Sequence, residues 1–168
     1  RRYDLPIFAN ANTWIGMEKT IGKIKEDNIK EFTSERDLDI RDITVYPIKI
    51  FHDAREPVGY IIYHKKNQIS VVTDTGFVND TMKEKMKGSN LYLMESNHDV
   101  EMLKLGNYPW SLKQRVLSNR GHLSNVDAGM VLGDIVSASG EIILLGHLSQ
   151  ENNNPDLDDY HTWIRSVE

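Results

Sequence analysis

The order of apolar and polar residues divides the first quarter of the chain into three segments. Residues 5–9 are apolar and predict a short buried strand. Apolar residues then recur every three or four positions between Trp14 and Ile24, after capping residues at 10–13, which predicts a helix over residues 12–22. Residues 23–42 are mostly polar and show no regular period, so we predict irregular structure there.

Three apolar runs in the middle of the chain predict strands. The first is residues 43–46, and Pro47 indicates that it lies at a sheet edge or ends there, because proline donates no backbone hydrogen bond. Residues 58–63 and 68–73 predict a hairpin joined by a polar turn. Their side chains are apolar almost without interruption, which indicates that helices cover at least one face of the sheet.

Helices and strands are mixed without a fixed period in the rest of the chain. The predicted helices cover residues 79–87, 100–105, 111–118 and 126–135, and the predicted strands cover 89–94 and 141–145. This order predicts an α/β protein, an α+β sandwich in which helices cover a mixed sheet. The sequence contains no internal repeat and no linker, so we predict one domain over residues 1–168.

Composition and charge exclude several classes of protein. The chain has 168 residues, of which 39% are hydrophobic and 27% charged, which is ordinary for a soluble domain. No apolar run approaches the roughly 18–20 residues of a membrane span, and the first residues lack the apolar stretch of a signal peptide. Twenty basic and 25 acidic residues give a net charge of −5, which argues against a general nucleic-acid coat but allows a local basic groove.

The chain contains no cysteine. Disulfide scaffolds, thiolate zinc sites and cysteine nucleophiles are therefore excluded, and any metal must be bound by histidine, aspartate and glutamate. We expect a cytoplasmic protein without membrane contact. Homo-oligomer formation is compatible with the sequence.

Polar groups that can bind metal follow four of the predicted strands. These groups begin at His52, Asp74, Glu95 and His147, and a fifth group around His122 precedes a predicted helix. Side chains from neighbouring strand ends converge at one edge of a sheet, where ligands commonly bind. Imidazole and carboxylate groups suit zinc, manganese or iron, so these strand ends predict part of a two-metal hydrolase site.

Each of these residues also has a purely structural explanation. Asp-Thr-Gly after a strand is typical of a turn, and His122 and His98 each precede a helix start. His52 and His147 can be bonded simply to the backbone at a strand end. Glu95 is a candidate buried partner that orients the imidazole of His122.

Six motifs occur in a fixed order along the chain: FHDA at 51–54, EPVGY at 56–60, TDTG at 73–76, ESNHD at 95–99, GHLSN at 121–125 and LGHLSQENN at 145–153. In this order and spacing they resemble the metallo-β-lactamase fold hydrolases, and closely the YycJ/WalJ subfamily of bacterial nucleases. The resemblance covers residues 3–153. It implies an αββα metallo-β-lactamase-like fold, incomplete at its N-terminus because the HxHxDH motif of that family is absent here.

The resemblance also implies roles for individual residues. His52, Asp74 and His147 match metal ligands for two divalent ions, zinc or manganese, with Asp74 as the bridging and catalytic carboxylate. His122 matches a catalytic histidine near the scissile phosphate, and His98 lies in a segment that lines the same cleft, which makes it a further catalytic candidate. We expect this chain alone to be metal-poor because the HxHxDH ligands are missing.

The function that the resemblance implies is a metal-dependent phosphodiesterase, specifically a DNA exonuclease. The alternatives are an RNase or a small cyclic-phosphate diesterase of the same fold, or a non-catalytic fragment with an incomplete metal site. A true β-lactamase is disfavoured because several of those enzymes use a cysteine ligand. The basic residues Lys113, Arg115 and Arg120 are a solvated helix face by default, and near His122 they are also candidates for phosphate contact.

Overall fold

A six-stranded mixed sheet organises the structure, a computed structural model that describes residues 3–137 and 140–154. The strands are β1 (Ile7–Ala9), β2 (Ile29–Glu31), β3 (Leu38–Ile40), β4 (Ile43–Lys49), β5 (Val58–His64), β6 (Asn67–Val72), β7 (Leu91–Glu95) and β8 (Ile142–Gly146). The helices are α1 (Ala11–Ile21), α2 (Asp80–Met86), α3 (Val100–Leu105), α4 (Trp110–Val116) and α5 (Asn125–Ile135), with a 3₁₀ turn at Glu26–Asn28. The predicted mixed sheet with helices is confirmed.

The direction of the strands decides where their polar ends lie. The neighbouring pairs β3–β4, β4–β5 and β5–β6 are antiparallel, whereas the pairs β6–β7 and β7–β8 are parallel. Because β4 and β6 are both antiparallel to β5, they run in the same direction. The carboxyl ends of β4, β6, β7 and β8 therefore lie at one edge of the sheet.

The apolar core lies between one face of this sheet and helices α2 and α5. Alternate strand residues such as Ile61, Val72 and Met94 pack in one cluster with Met86 of α2 and Leu132 of α5. All five are nearly inaccessible to solvent. This packing confirms that helices cover the hairpin strands and stabilises the sheet that carries the polar strand ends.

Two sequence expectations for the first part of the chain differ from the structure. Strands β2 and β3 form within the segment predicted to be irregular. β2 pairs with β1, and β3 pairs with β4. Leu5, predicted to be buried, is 63% exposed, because only Ile7–Ala9 pair with β2.

Of the two alternatives predicted for Pro47, the position at a sheet edge is observed locally, and the end of the strand is not. β4 continues through it to Lys49, because β5 still pairs with Pro47 on one side. The pairing with β3 stops at Val45, so the missing N–H of Pro47 breaks no ladder on the other side.

The first helix is set by local chemistry. The side chain of Asn10 accepts a hydrogen bond from the backbone N–H of Thr13, as the capping pattern predicts, and α1 begins at Ala11. None of the helices in the described ranges combines the length and the apolar composition needed to cross a bilayer.

Candidate metal and phosphate site

The sheet edge brings the predicted site residues together. One ligand atom each from His52, Asp74 and His122 lies within 4.8 Å of the others. His147 joins this group from the end of β8, with its Nε2 atom 3.3 Å from Oδ1 of Asp74. The expected convergence of His52, Asp74 and His147 on one side of the sheet is therefore observed.

In each of the three imidazole rings, Nδ1 faces an oxygen atom of the protein. Nδ1 of His52 lies 3.0 Å from the carbonyl oxygen of Gly121, and Nδ1 of His122 and of His147 lies 2.7 Å and 2.8 Å from Oε1 of Glu95. An oxygen acceptor requires a proton on each of these Nδ1 atoms. In the neutral ring Nε2 then carries the lone pair, the tautomer that binds a metal ion.

Glu95 is the acceptor on which two of these orientations depend. It ends β7 and is 0% exposed, and its Oε2 accepts a third hydrogen bond of 2.7 Å from the backbone N–H of Thr75. A buried carboxylate is costly unless it is hydrogen-bonded, and these three donors offset that cost. The predicted contact between Glu95 and His122 is confirmed, while its contact with His147 was not foreseen.

Two loops hold the site residues at close range. Asp74 and His147 both adopt left-handed backbone conformations, with φ of 57° and 56°, where their strands turn away from the sheet. Gly76 in the first loop lies against the segment before His122, and a Cβ atom on it would meet Ser118 O at 2.3 Å. Strained turns and close loop packing of this kind are common at functional sites.

Hydrogen bonding and burial shift the pKa values of three groups near the site. The hydrogen bond that His122 donates to Glu95 is the largest effect on His122 and raises its pKa above the ordinary value. Burial lowers the pKa of His98, which favours its neutral form. The Arg115 guanidinium, with Nε 2.5 Å from Oδ2 of Asp53, lowers the pKa of that carboxyl.

His98 lies apart from this cluster. It is 1% exposed, and neither ring nitrogen has a hydrogen-bond partner among the residues that the structure describes. His98 lines a cavity together with His122 and Phe77. Its catalytic role stays a prediction.

The expectation for the basic residues is wrong at Lys113. It is only 9% exposed, and its ammonium donates hydrogen bonds of 2.7 Å to the carbonyl oxygens of Lys104 and Gly106. These carbonyls end α3, so Lys113 caps a helix and does not face solvent. Arg115 is paired with Asp53, whose Oδ1 lies 3.3 Å from His52 Nε2. Arg115 also lines the same cavity as His122, and its contact with phosphate stays a prediction.

The chain is similar to known proteins both in sequence and in fold. The chain is 43% identical over 157 residues to the exodeoxyribonuclease YycJ of Bacillus anthracis and 38% identical over 159 residues to the exodeoxyribonuclease WalJ of Streptococcus pneumoniae, in both cases over 94% of this chain. No protein-family model matches the sequence. Among solved structures, the metallo-β-lactamase fold protein YhfI from Bacillus subtilis superimposes with a TM-score of 0.65 and 17% identity over 97% of this chain and 58% of that one.

The chain has the metallo-β-lactamase fold. Zinc-bound PqqB from Methylobacterium extorquens is also similar, with a TM-score of 0.68 and 16% identity over 99% of this chain and 61% of that one. The resemblance to the YycJ/WalJ proteins is confirmed. The chain spans about 60% of the length of these two curated relatives.

The donor set of this metallo-β-lactamase fold chain fits a divalent cation. His52 and His147 each present an Nε2 atom with a carboxylate oxygen 3.3 Å away, from Asp53 and Asp74 respectively. Two acceptor atoms at that distance repel each other unless a proton or a cation lies between them. Imidazole nitrogen with carboxylate oxygen is a donor set that suits zinc or manganese.

Proposed function

We propose that the protein is a metal-dependent phosphodiesterase that degrades DNA as an exonuclease. The observation that carries the proposal is the convergence of His52, Asp74, His122 and His147 with every Nδ1 atom already bonded to an oxygen. This arrangement leaves Nε2 atoms and a carboxylate for metal and phosphate. The names of the two curated relatives support DNA as the substrate.

In this proposal His52, Asp74 and His147 hold divalent metal, two ions of zinc or manganese in all, with Asp74 as the shared ligand. Bound metal supplies a water of pKa near 7 and polarises a phosphoryl oxygen. Asp74 is suited to a shared role because it has a carboxylate oxygen within 4.8 Å of a ring nitrogen of His52, and its Oδ1 lies 3.3 Å from Nε2 of His147. Both Asp74 and His147 lie in left-handed turns that follow the ends of their strands.

His122 acts on the phosphate in this proposal. Glu95 fixes its ring by a 2.7 Å hydrogen bond at Nδ1, so that Nε2 is the atom left for substrate. In the protonated ring, Nε2–H donates a hydrogen bond to a phosphoryl oxygen and then its proton to the leaving oxygen. Glu95 stabilises the positive charge of that ring, as the orienting carboxylate does in other acid–base pairs.

Two substitutions separate the proposed role of phosphate donor from that of metal ligand. His122→Ala should keep metal content near wild type and lower kcat by about 10²–10⁴-fold, the loss typical of a general acid or a charge-stabilising donor. Asp74→Ala should lower metal content and activity together, because it removes a shared ligand. Metal analysis and nuclease rate are measured on both. Loss of metal from His122→Ala would make it a ligand, and an unchanged rate would make it structural.

The substrate is tested directly. The wild-type protein should shorten linear DNA from its ends faster than it cleaves RNA of the same sequence or a 2′,3′-cyclic nucleotide. Preference for RNA or for the cyclic phosphate would replace the DNA exonuclease proposal with another phosphodiesterase. We expect the activity in the cytoplasm, where a nuclease of genomic DNA meets its substrate.

A further inference from the structure

Two cavities meet at His122. The first, which we call the site cleft, has a volume of about 400 Å³ and is lined by His122 and His147. The second, which we call the side cavity, has a volume of about 330 Å³ and is lined by His122 and Phe77. The group that is proposed to act on the phosphate is therefore shared by two spaces, and the proposed chemistry uses only the site cleft.

Apolar side chains surround the mouth of the side cavity. Phe77, Leu117 and Met130 all line it, and they are 44%, 41% and 58% exposed. Single exposed apolar residues are ordinary, but three around one concave space form a patch of the kind that binds ligands. The volume is within the usual range of small-molecule pockets, which begins near 300 Å³.

The polar groups of the side cavity favour an uncharged ligand. Lys83 is neutralised by Asp134 at 2.6 Å, so it offers no free positive charge for a phosphate. The buried imidazole of His98 has no hydrogen-bond partner at either nitrogen within the described part of the chain, although buried polar groups are normally paired. In its neutral form this ring offers one donor and one acceptor.

We propose that the side cavity binds the nucleobase next to the scissile phosphate, stacked on the ring of Phe77. The inference rests on the proposed phosphodiesterase function and adds a binding site to it. A phosphodiester joins two nucleosides, so a phosphate bound at His122 carries one nucleoside on each of its two ester oxygens. One nucleoside enters the site cleft and the other enters the side cavity, where a flat, uncharged base matches the apolar walls.

Phe77 is suited to this stacking role. It makes an edge-to-face contact with Phe51, with ring centroids 5.4 Å apart and an angle of 69° between the rings. This contact holds the ring in place while leaving 44% of the residue exposed. Phe51 directly precedes His52 and Phe77 follows Asp74 by three positions, so both rings belong to the loops that carry proposed metal ligands.

The test combines removal of the ring with removal of the base. Cleavage is measured for wild type and Phe77→Ala on a single-stranded oligodeoxynucleotide, and on two otherwise identical oligonucleotides that lack the base on either side of the cleaved bond. Phe77→Ala should lower kcat/KM on the intact oligonucleotide by about 5- to 150-fold, the usual effect of losing base stacking, mainly through KM. On one of the two abasic substrates, Phe77→Ala should cause no further loss.

The outcomes separate this inference from the proposed function. Cleavage by wild type with equal Phe77→Ala effects on all three substrates would overturn the stacking site and leave the nuclease proposal in place. Failure of wild type to cleave any of the oligonucleotides would overturn both.

Three further variants distinguish stacking from a structural effect. Phe77→Tyr keeps the flat ring and should stay within about threefold of wild type, whereas Phe77→Leu keeps an apolar side chain without the flat face and should behave like Phe77→Ala. Wild-type kinetics for Phe77→Leu would contradict stacking. Ile15→Ala changes an exposed apolar residue on α1 that lines neither cavity, and it should leave every rate unchanged. The Tm of each variant checks its folding.

Discussion

At the scale of single residues, Glu95 connects the two proposed functions of the site. One of its oxygens accepts hydrogen bonds from His147, a proposed metal ligand, and from His122, the proposed phosphate donor. The other oxygen accepts the backbone N–H of Thr75, next to Asp74. The same buried carboxylate therefore orients groups from three different loops.

Replacement of Glu95 by glutamine should weaken metal binding. The amide has one acceptor oxygen in place of two, so at least one of the three donors loses its partner. Orienting groups behind a metal ligand typically contribute 10- to 100-fold to affinity, and we expect a loss of that size in competition with a chelator. Glu101→Gln, on the exposed side of α3, is the matched control and should bind as wild type. Equal affinities for Glu95→Gln and wild type would contradict the orienting role.

The sequence is sufficient to find residues that converge at this sheet edge, but of their contacts it predicts only the one between Glu95 and His122. Each candidate follows a strand or precedes a helix, and the motifs that contain them occur in a recognisable order. The bond from His52 to the carbonyl of Gly121 spans 69 positions, and the bond from His147 to Glu95 spans 52. Such contacts depend on strand register and loop path, which no local pattern encodes.

At the scale of elements, the site depends on two loops that touch through glycine. Gly76 follows β6, and a Cβ atom there would meet Ser118 O at 2.3 Å and Gly121 N at 2.6 Å. Those atoms belong to the segment that leads to His122. The contact therefore sets the distance between the loop of Asp74 and the loop of His122.

Gly76→Ala should destabilise the protein. The new methyl group meets backbone atoms that cannot move independently, and overpacking of this kind costs about 1–3 kcal/mol. For a protein of this size the Tm should fall by roughly 2–12 °C. Gly133→Ala is the opposite case, since nothing lies within 4 Å of a Cβ atom there and the residue is inside α5.

Gly133→Ala should therefore raise Tm by a few degrees, because alanine favours the helix by about 0.5–1 kcal/mol. Thermal unfolding of both variants, followed by circular dichroism, makes the comparison. A Tm for Gly76→Ala at or above the wild-type value would show that the loop contact is loose.

Elements with strong local patterns were predicted well. The hairpin of β5 and β6 differs from its predicted bounds by a single residue at three of its ends, and α5 begins one residue early. β2 and β3 were missed. Both have only three residues, none of them buried, and such short segments give little pattern to detect. β2 forms because β1, on the other side of α1, pairs with it, whereas β3 forms a tight hairpin with β4.

At the scale of the whole molecule, Glu56 joins the first segment of the chain to the sheet. Its carboxylate accepts hydrogen bonds from Ser34 Oγ at 2.5 Å and Asn12 Nδ2 at 2.8 Å, and its backbone carbonyl accepts one from Asn10 Nδ2. These residues come from α1, its cap and the loop after β2. The bonds from Ser34 and Asn12 lower the pKa of Glu56 below its usual value of 4.5.

The contribution of Glu56 to stability should depend on pH. A carboxyl whose pKa is lower in the folded state stabilises the protein above the unfolded pKa, and this stabilisation is lost as pH falls through the folded pKa. Glu56→Gln should therefore lower the free energy of unfolding by about 1 kcal/mol at pH 7 and by less near pH 3. Denaturant titrations of both proteins at the two pH values measure the difference. The exposed Glu84→Gln is the control, and an equal deficit at both pH values would contradict the prediction.

The change from antiparallel to parallel pairing across the sheet has a consequence for the order of folding. β5 and β6 are joined by the short turn at Lys65 and Lys66 and close a small loop, whereas the pairing of Leu91 with Ile142 must close a loop of about fifty residues. Local hairpins form in microseconds, and distant parallel pairing is slow. The loops of His52 and Asp74 therefore flank the early part of the sheet, and His147 arrives with the last strand. Before β8 pairs, the chain has only two of the three proposed metal ligands, His52 and Asp74, so the proposed metal site is completed only with the last strand.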